Sequence, residues 1–377
     1  MANDRRSHAT AVLIACKNGE GTLGQTVASA ACQADVYLVS DGSTDATADV
    51  ALAAGARRVL VNRTSRGKPK ALEAAMRRYA LAKRYRYVAV LDDDTTIAGD
   101  YIALLEAKLD SDARIVAASG RIDSLWDHAR RWNPFVAMRA FMYWSYQATI
   151  KRGQDTLRVV NVICGANTVF RAGLFAELIS VEVPYAIDDM FWMAEIARRR
   201  LGRVAYVHQA RSWTIDPHTF RDWYRQTVRW SWAQFQSIRG HRLAVPLRRE
   251  PGRRLGVRFS WFDFAYLLLL ADWLGYAVEP LLVAPAMILL SAWFDPLWIV
   301  VFYLGGSYAW FAVAAAALRK PRLLVLAPAL LGLDLVYRAT MLHAVAKTIA
   351  QPRSVAVWES PKRFVLMTAA APERRTS

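Results

Sequence analysis

Apolar residues in roughly the first 241 positions come as short runs separated by stretches with helical spacing. Residues 11–15 (AVLIA), 36–40 (VYLVS), 58–61 (RVLV) and 87–91 (YVAVL) read as strands, and residues 44–54 and 68–83 as helices between them. Alternation of this kind is the βαβ rhythm of an α/β domain with a parallel sheet. Ligands of such sheets sit at the carboxyl ends of the strands, and the acidic motifs of this chain fall there. A longer pattern at residues 220–238 predicts one further helix.

The pattern changes near Leu255. Beyond it lie three apolar blocks, at residues 262–294, 297–318 and 323–346. The middle block holds no charged residue and reads as a transmembrane helix. The first contains Asp272, Glu279 and Pro280, which fits an interfacial helix followed by one span, or two short elements. In the third, Asp334 and Arg338 stand four apart, a spacing that lets them pair on a helix and lowers the cost of burial. Basic residues before residue 262 and at Arg319, Lys320 and Arg322 place both segments in the cytoplasm, with two crossings between them. The third block would then carry the basic tail outward, so either it is partly interfacial or the first block hides another crossing.

Charge changes the picture in one respect. Lys and Arg number 49 against 32 Asp and Glu, a net charge of +17. The excess flanks the apolar blocks, as in Arg248, Arg249, Arg253, Arg254 and Arg258, which points to membrane lipids and not to nucleic acid. Cys16, Cys32 and Cys164 have the spacing of neither a zinc site nor a disulfide framework, and they read as small core residues in a reducing compartment. The opening MANDRRSHAT has no apolar core, so no signal peptide is expected.

Five segments carry candidate chemistry. Asp92-Asp93-Asp94-Thr95 follows a strand, where Asp92 and Asp94 suit a hard cation that also takes diphosphate oxygens; the plain alternative is a polar strand-to-turn cap. Asp41-Gly42-Ser43-Thr44-Asp45 makes a capped turn and leaves Asp41 to accept from a base or ribose. Lys68, after Arg66-Gly67, precedes a helix and suits a diphosphate, although a solvated charge run is the default. Asp188 and Asp189 lie among Phe191, Trp192 and Met193, a setting that raises a carboxyl pKa and suits a general base; acids at a helix start are the alternative. Gln226, Arg229 and Trp230 share one helix face, where Arg can clamp a diphosphate and Trp can underlie a sugar ring; an amphipathic interfacial helix is the alternative.

In this order, DGSTD, GK, DDDT, GANTVFR, DD and QTVRW before apolar spans resemble the family 2 inverting glycosyltransferases of the membrane polysaccharide synthase type, which includes cellulose, chitin, hyaluronan and poly-N-acetylglucosamine synthases. The resemblance runs from Val12 to about Arg363. It implies a cytoplasmic GT-A catalytic domain over residues 1–245 and interfacial and transmembrane helices with a basic tail over 246–377. It implies nucleotide-sugar contacts from Asn18, Asp41, Lys68, Asp92, Gln226 and Arg229, and Mg2+ or Mn2+ on Asp94 and Asp92. It implies acceptor contacts from Gly165, Ala166, Asn167, Arg171 and Trp230, with Asp189 as base beside Asp188. The WESPKR segment at 358–363 is similar to the family's C-terminal tryptophan–arginine stretch. Residues 15–20 (ACKNGE) depart from the family's usual proline and N-E-E.

The expectation is therefore a multi-pass membrane enzyme. It would transfer a sugar, first N-acetylglucosamine, from a UDP-sugar to a growing polysaccharide with inversion. Transfer of one sugar to a lipid acceptor is the alternative within enzymes, and a silent membrane scaffold the alternative outside them. A nicotinamide-binding dehydrogenase is disfavoured, since no G-x-G-x-x-G follows the first strand.

Overall fold

Strand β1 (Thr10–Cys16) is apolar on both sides. Ala11, Leu13 and Ala15 join one buried layer, and Val12, Ile14 and Cys16 the other. A side-chain period of two with both faces buried is what an internal parallel strand requires. β4 (Tyr87–Leu91) divides the same way, with Val88 and Val90 on the first side and Tyr87, Ala89 and Leu91 on the second. In the computed structural model, which describes residues 8–126, 130–241, 278 and 285–353, β1 lies between β4 and β2 (Asp35–Asp41), and β2 pairs with β3 (Arg58–Asn62). All these pairings are parallel.

The crossovers α1 (Leu23–Ala31), α2 (Thr47–Ala53) and α3 (Lys68–Arg78) connect them. The helix expected at 68–83 is two elements. Ala80 adopts a left-handed conformation (φ 49°) and ends the first, and α4 (Leu81–Arg84) is a single turn.

Past β4 the sheet is mixed, which corrects the expectation of a parallel sheet. Its order is β3-β2-β1-β4-β7-β6-β8-β5. β7 (Asn167–Arg171) is inserted antiparallel between β4 and β6 (Ile115–Ser124); β8 (Arg203–Thr214) runs parallel to β6, and the short β5 (Thr95–Ile97) closes antiparallel to β8. The inversion has a positional effect. An antiparallel strand brings the loop before it, not the loop after it, to the carboxyl ends of its parallel neighbours. Asn167 therefore pairs with Leu91, and residues 164–166 lie beside the acidic loop that follows β4.

α5 (Tyr101–Asp110) shares one apolar layer with α1, while α8 (Ala172–Ile179) and α9 (Asp188–Arg198) share the other with α3. α6 (Pro134–Ser145) is capped by Asn133, which accepts from the Phe135 and Val136 amides, and has proline at its first position. It runs into a π-helical segment (Tyr146–Lys151) and α7 (Arg152–Thr156).

Three long helices follow: α10 (Phe220–His241), α11 (Pro296–Leu318) and α12 (Arg322–Ala350). α12 packs along α10: the Tyr224 hydroxyl meets His343 Nδ1 at 3.0 Å, Arg239 donates to the Thr348 carbonyl at 3.1 Å, and Lys347 lies 4.0 Å from the Trp232 ring centre. α11 touches the end of α6, where Trp310 donates to Ser145 Oγ at 3.0 Å. Asp334 and Arg338 pair at 3.0 Å, at the expected spacing. Among the described residues two helices are long and apolar enough to cross a membrane, Val300–Leu318 and Arg322–Ala350, with mean hydropathy 1.5 and 1.6. Most of the 262–294 block and all of 358–363 lie outside the described residues.

Trp192 anchors α9 to the sheet. It is fully buried and meets Phe170 and Phe175 edge-on, with ring centres 6.1 and 5.2 Å away. Trp192→Ala is expected to destabilise the domain by about 3–5 kcal/mol, from lost burial and the cavity left behind; thermal unfolding of the purified protein checks this.

Candidate active site

The carboxyl ends of β2 and β4, the loop before β7 and the start of α9 converge. Lys68, at the first position of α3, joins three of these. Its ammonium donates to Asp92 Oδ1 at 2.5 Å and to the Gly165 carbonyl at 3.2 Å. Gly165 in turn donates its amide to Asp189 Oδ2 at 2.8 Å. Burial works against the lysine charge, but Asp92, Asp188 and Asp189 together outweigh it, so the Lys68 pKa is raised.

Asp189 shows the opposite balance. Removal from water pushes its pKa up, Asp188 adds to this, and the Gly165 amide and Lys68 only partly oppose them, leaving it at about 7. Asp189 Oδ1 and Asp188 Oδ2 are buried with no hydrogen-bond partner among the described residues. A carboxylate oxygen left unpaired inside a protein is costly. It is also an acceptor ready for a proton. Gly165 is needed for the contact itself, since a Cβ there would stand 2.9 Å from Asp189 Oδ2.

Asp41 does something other than expected. It is fully buried, and its oxygens accept from Asn62 Nδ2 (2.7 Å), Ser65 Oγ (2.9 Å) and the amides of Arg66 (2.8 Å) and Gly67 (2.9 Å). It is not left open for a base or ribose; it folds the 62–67 loop that presents Lys68. Gly42 follows with φ 71°, and a Cβ there would meet the Ser65 amide nitrogen at 2.5 Å. Asn18, also left-handed, holds the Ser43-Thr44 turn by accepting from the Thr44 amide at 2.8 Å and donating its own to Ser43 Oγ at 3.1 Å.

In the DDDT segment the three acids differ. Asp92 is half-buried and faces Lys68. Asp93 is buried and accepts from Cys16 Sγ at 3.0 Å, which ties the loop to β1. Asp94 is buried and accepts from Thr214 Oγ1 at 3.3 Å. No group of three or more His, Cys, Asp and Glu among the described residues would hold a metal alone. One or two carboxylates completed by phosphate oxygens and water is nonetheless an ordinary Mg2+ donor set, and Asp92 and Asp94 fit it.

Of the expected acceptor residues, Gly165 and Ala166 border this centre. Asn167 is fully buried, and its amide nitrogen is committed to the Gly120 carbonyl (3.1 Å) and Ser212 Oγ (2.9 Å). Arg171 lies at the far end of β7, opposite Tyr87, and donates to the carbonyls of Ile115 (2.8 Å) and Leu109 (2.7 Å). The structure does not bring it to the site: β7 descends antiparallel, so four residues carry it to the amino ends of the parallel strands.

Gln226, Arg229 and Trp230 do share a face of α10, and α6 backs it. Arg139 donates to Gln226 Oε1 at 3.0 Å and lies 4.3 Å from the Trp230 ring centre; Tyr143 stacks on the same ring at 6.4 Å and donates to Asp216 at 2.9 Å. Burial raises the Asp216 pKa, against the pull of Arg139. Sequence reasoning missed Arg139, Tyr143 and Asp216. A lone arginine in the otherwise apolar PFVAMRAFMYWS run was the available signal.

The family described as Glycosyltransferase like family 2 matches residues 8–233. No curated protein matches the chain. Among solved structures, a mannosyltransferase from Pyrobaculum calidifontis, in complex with GDP-Man and Mn2+, has a TM-score of 0.57 at 16% identity, over 92% of this chain and 91% of its own. Glucosyl-3-phosphoglycerate synthase from Mycobacterium tuberculosis, with Mg2+ and UDP, scores 0.41 at 16% identity, over 62% and 79%. The first likeness is one of fold: a GT-A-like α/β domain.

Gly165→Ala is expected to push the Asp189 carboxylate away and break its bond to the loop amide. Nucleotide-sugar turnover should fall by about tenfold or more while the unfolding temperature stays within a few degrees of wild type; side-by-side kinetics and thermal unfolding decide it.

Proposed function

The chain belongs to glycosyltransferase-like family 2, and we propose that it is a membrane glycosyltransferase that moves a sugar from a nucleoside diphosphate donor to an acceptor hydroxyl with inversion. The observation that carries the reading is Asp189, whose pKa is pushed up to about 7 in a site that also gathers Lys68, Asp92 and Gly165. A base near neutrality takes the hydroxyl proton as the oxygen attacks the anomeric carbon. The bond from that carbon to the diphosphate breaks, and the nucleotide leaves on the opposite face.

Asp92 and Asp94 would hold Mg2+ or Mn2+ between protein and diphosphate, and the ion would supply neutralisation of the leaving charge. Lys68 keeps its charge and steadies Asp92. Gln226 and Arg229 face the donor or acceptor from α10, and Trp230 lies beside them with its ring held by Arg139 and Tyr143.

Membrane attachment is supported by α11 and α12, whose apolar windows are only 17% and 28% buried; the core helix of a soluble protein would be mostly buried. UDP-N-acetylglucosamine with a growing polysaccharide is the first donor and acceptor pair. Transfer of a single sugar to a lipid acceptor is the second reading. The fold neighbour in complex with GDP-Man puts GDP-mannose beside UDP-sugars in the donor panel.

Asp189→Asn should retain donor binding and lose about 10²–10⁴ in turnover. In the wild type, kcat/KM reports ionisations of the free enzyme, and the base must be charged to act; kcat/KM should therefore rise as pH increases through about 7 and level off above it. A flat profile from pH 5 to 8, or ordinary turnover by the Asn variant, removes Asp189 as base.

Detergent-purified protein should release nucleotide from one donor of a UDP- and GDP-sugar panel with Mn2+ or Mg2+, and lose this with EDTA. Undiminished release in EDTA defeats the metal assignment. No release from any donor, with membrane lipid extract added, defeats the enzyme reading.

A further inference from the structure

Arg139 is a fully buried guanidinium with no ion-pair partner among the described residues. Its Nη2 donates to Gln226 Oε1 at 3.0 Å and to Thr227 Oγ1 at 2.8 Å, and its Nε has no partner among the described residues. The indoles of Trp230 and Trp223 approach its guanidinium carbon at 4.3 and 5.7 Å. A desolvated charge whose direct contacts are neutral oxygens and π-faces, with the buried Asp216 acting on it only at a distance, is an expensive way to fill a core. An aliphatic side chain would fill this space at lower cost, so the charge calls for another explanation.

The hydrogen-bond chemistry supplies one. Arginine only donates, so the atom of the Gln226 amide facing it must be the oxygen. The amide is thereby fixed in one of its two flips. Gln226 is half-buried, and its Nε2 makes no hydrogen bond within the described residues. Both N–H donors are left for an oxygen-rich ligand at the open side of α10. The same guanidinium lies over the ring of Trp230, one turn further along.

We infer that Arg139 is a positioning residue for the transfer reaction: it locks the Gln226 amide with its N–H donors toward the substrate oxygens and sets the Trp230 ring. This rests on the glycosyltransferase reading above. The ligand class is an oxygen acceptor, a sugar hydroxyl or a diphosphate oxygen, and a carboxylate at position 226 would repel the latter.

The test uses Gln226→Glu in the full chain. Glutamate still offers Arg139 an oxygen, now as an ion pair, but has no N–H to present. The expected result is an unfolding temperature equal to or above wild type together with a loss of about tenfold or more in kcat/KM. Arg139→Met should slow the wild-type background by a similar factor and the Gln226→Glu background by about twofold at most, the signature of two residues acting as one. If Arg139→Met does not fold, Arg139→Lys replaces it in the cycle. Turnover by Gln226→Glu within about twofold of wild type overturns the inference, as does an equal effect of the Arg139 change in both backgrounds. Wild-type turnover tests the reading of function separately. If the wild type transfers and Gln226→Glu does too, only this inference falls; if the wild type releases no nucleotide from any donor, the reading fails and the inference goes with it.

Discussion

Three carboxylates crowd one ammonium, and most of the site is arranged around that imbalance. Asp92, Asp188 and Asp189 all act on Lys68, and only Asp92 reaches it directly. Each supporting feature serves this meeting. Asp41 folds the 62–67 loop so that α3 begins at Lys68; the inverted strand β7 delivers Gly165 between lysine and Asp189; α9 begins with the two remaining acids. The α9 N-terminus favours negative charge by a fraction of a kcal/mol to about 2 kcal/mol. Even so, burial and the neighbouring Asp188 prevail at Asp189, whose pKa rises. A carboxyl held at about 7 in this setting is what the proposed base requires.

Such a base carries a stability cost with a definite sign. The Asp189 pKa is about 7 in the folded chain against 3.8 unperturbed. At a pH below both values the group is protonated in both states, and it favours neither. As pH rises through the window between them, the unfolded chain releases the proton while the folded chain keeps it, so stability falls across that window. At neutral pH the fold therefore holds a carboxyl in a setting that penalises its charge, and the packing of Trp192 one turn along α9 offsets this.

The strands β1, β2 and β4 were legible because each is a short run of buried apolar residues, and a strand flanked on both sides by helices leaves that mark in sequence; β3, half-exposed, was legible from its β-branched RVLV run alone. β7 was not. Its NTVFR run is short, and nothing local states that it enters the sheet upside down. That single inversion explains why Gly165 and Ala166 lie beside the acidic loop while Arg171, close in sequence, lies at the other end of the strand. Asp41 was legible as an important acid but not as a loop organiser, because its four partners come from residues 62–67, some twenty positions away. Arg139 and Asp216 escaped for the same reason: their meaning lies in the packing of α6 against α10, which no spacing within either segment encodes.

α10 is where the two halves of the chain share a structure. One side of it carries Gln226, Arg229 and Trp230; residues elsewhere along it bind α12 through Tyr224, Trp232 and Arg239. α6 is held between them, with Arg139 and Tyr143 toward α10 and Trp144 against Trp310 of α11 at 5.1 Å. Neither α6 nor α10 belongs to the layers that cover the sheet; their apolar faces are buried against each other and against α11 and α12. The geometry of the QTVRW face is thus set by helices outside the α/β layers. A chain cut before α11 would retain Asp189 and Lys68 in their sheet-borne positions and keep the Arg139–Gln226 bond, but would lose the helices that bury the outer faces of α6 and α10. The apolar C-terminal helices are thus part of the framework that holds the QTVRW face, whatever else their exposed apolar sides contact.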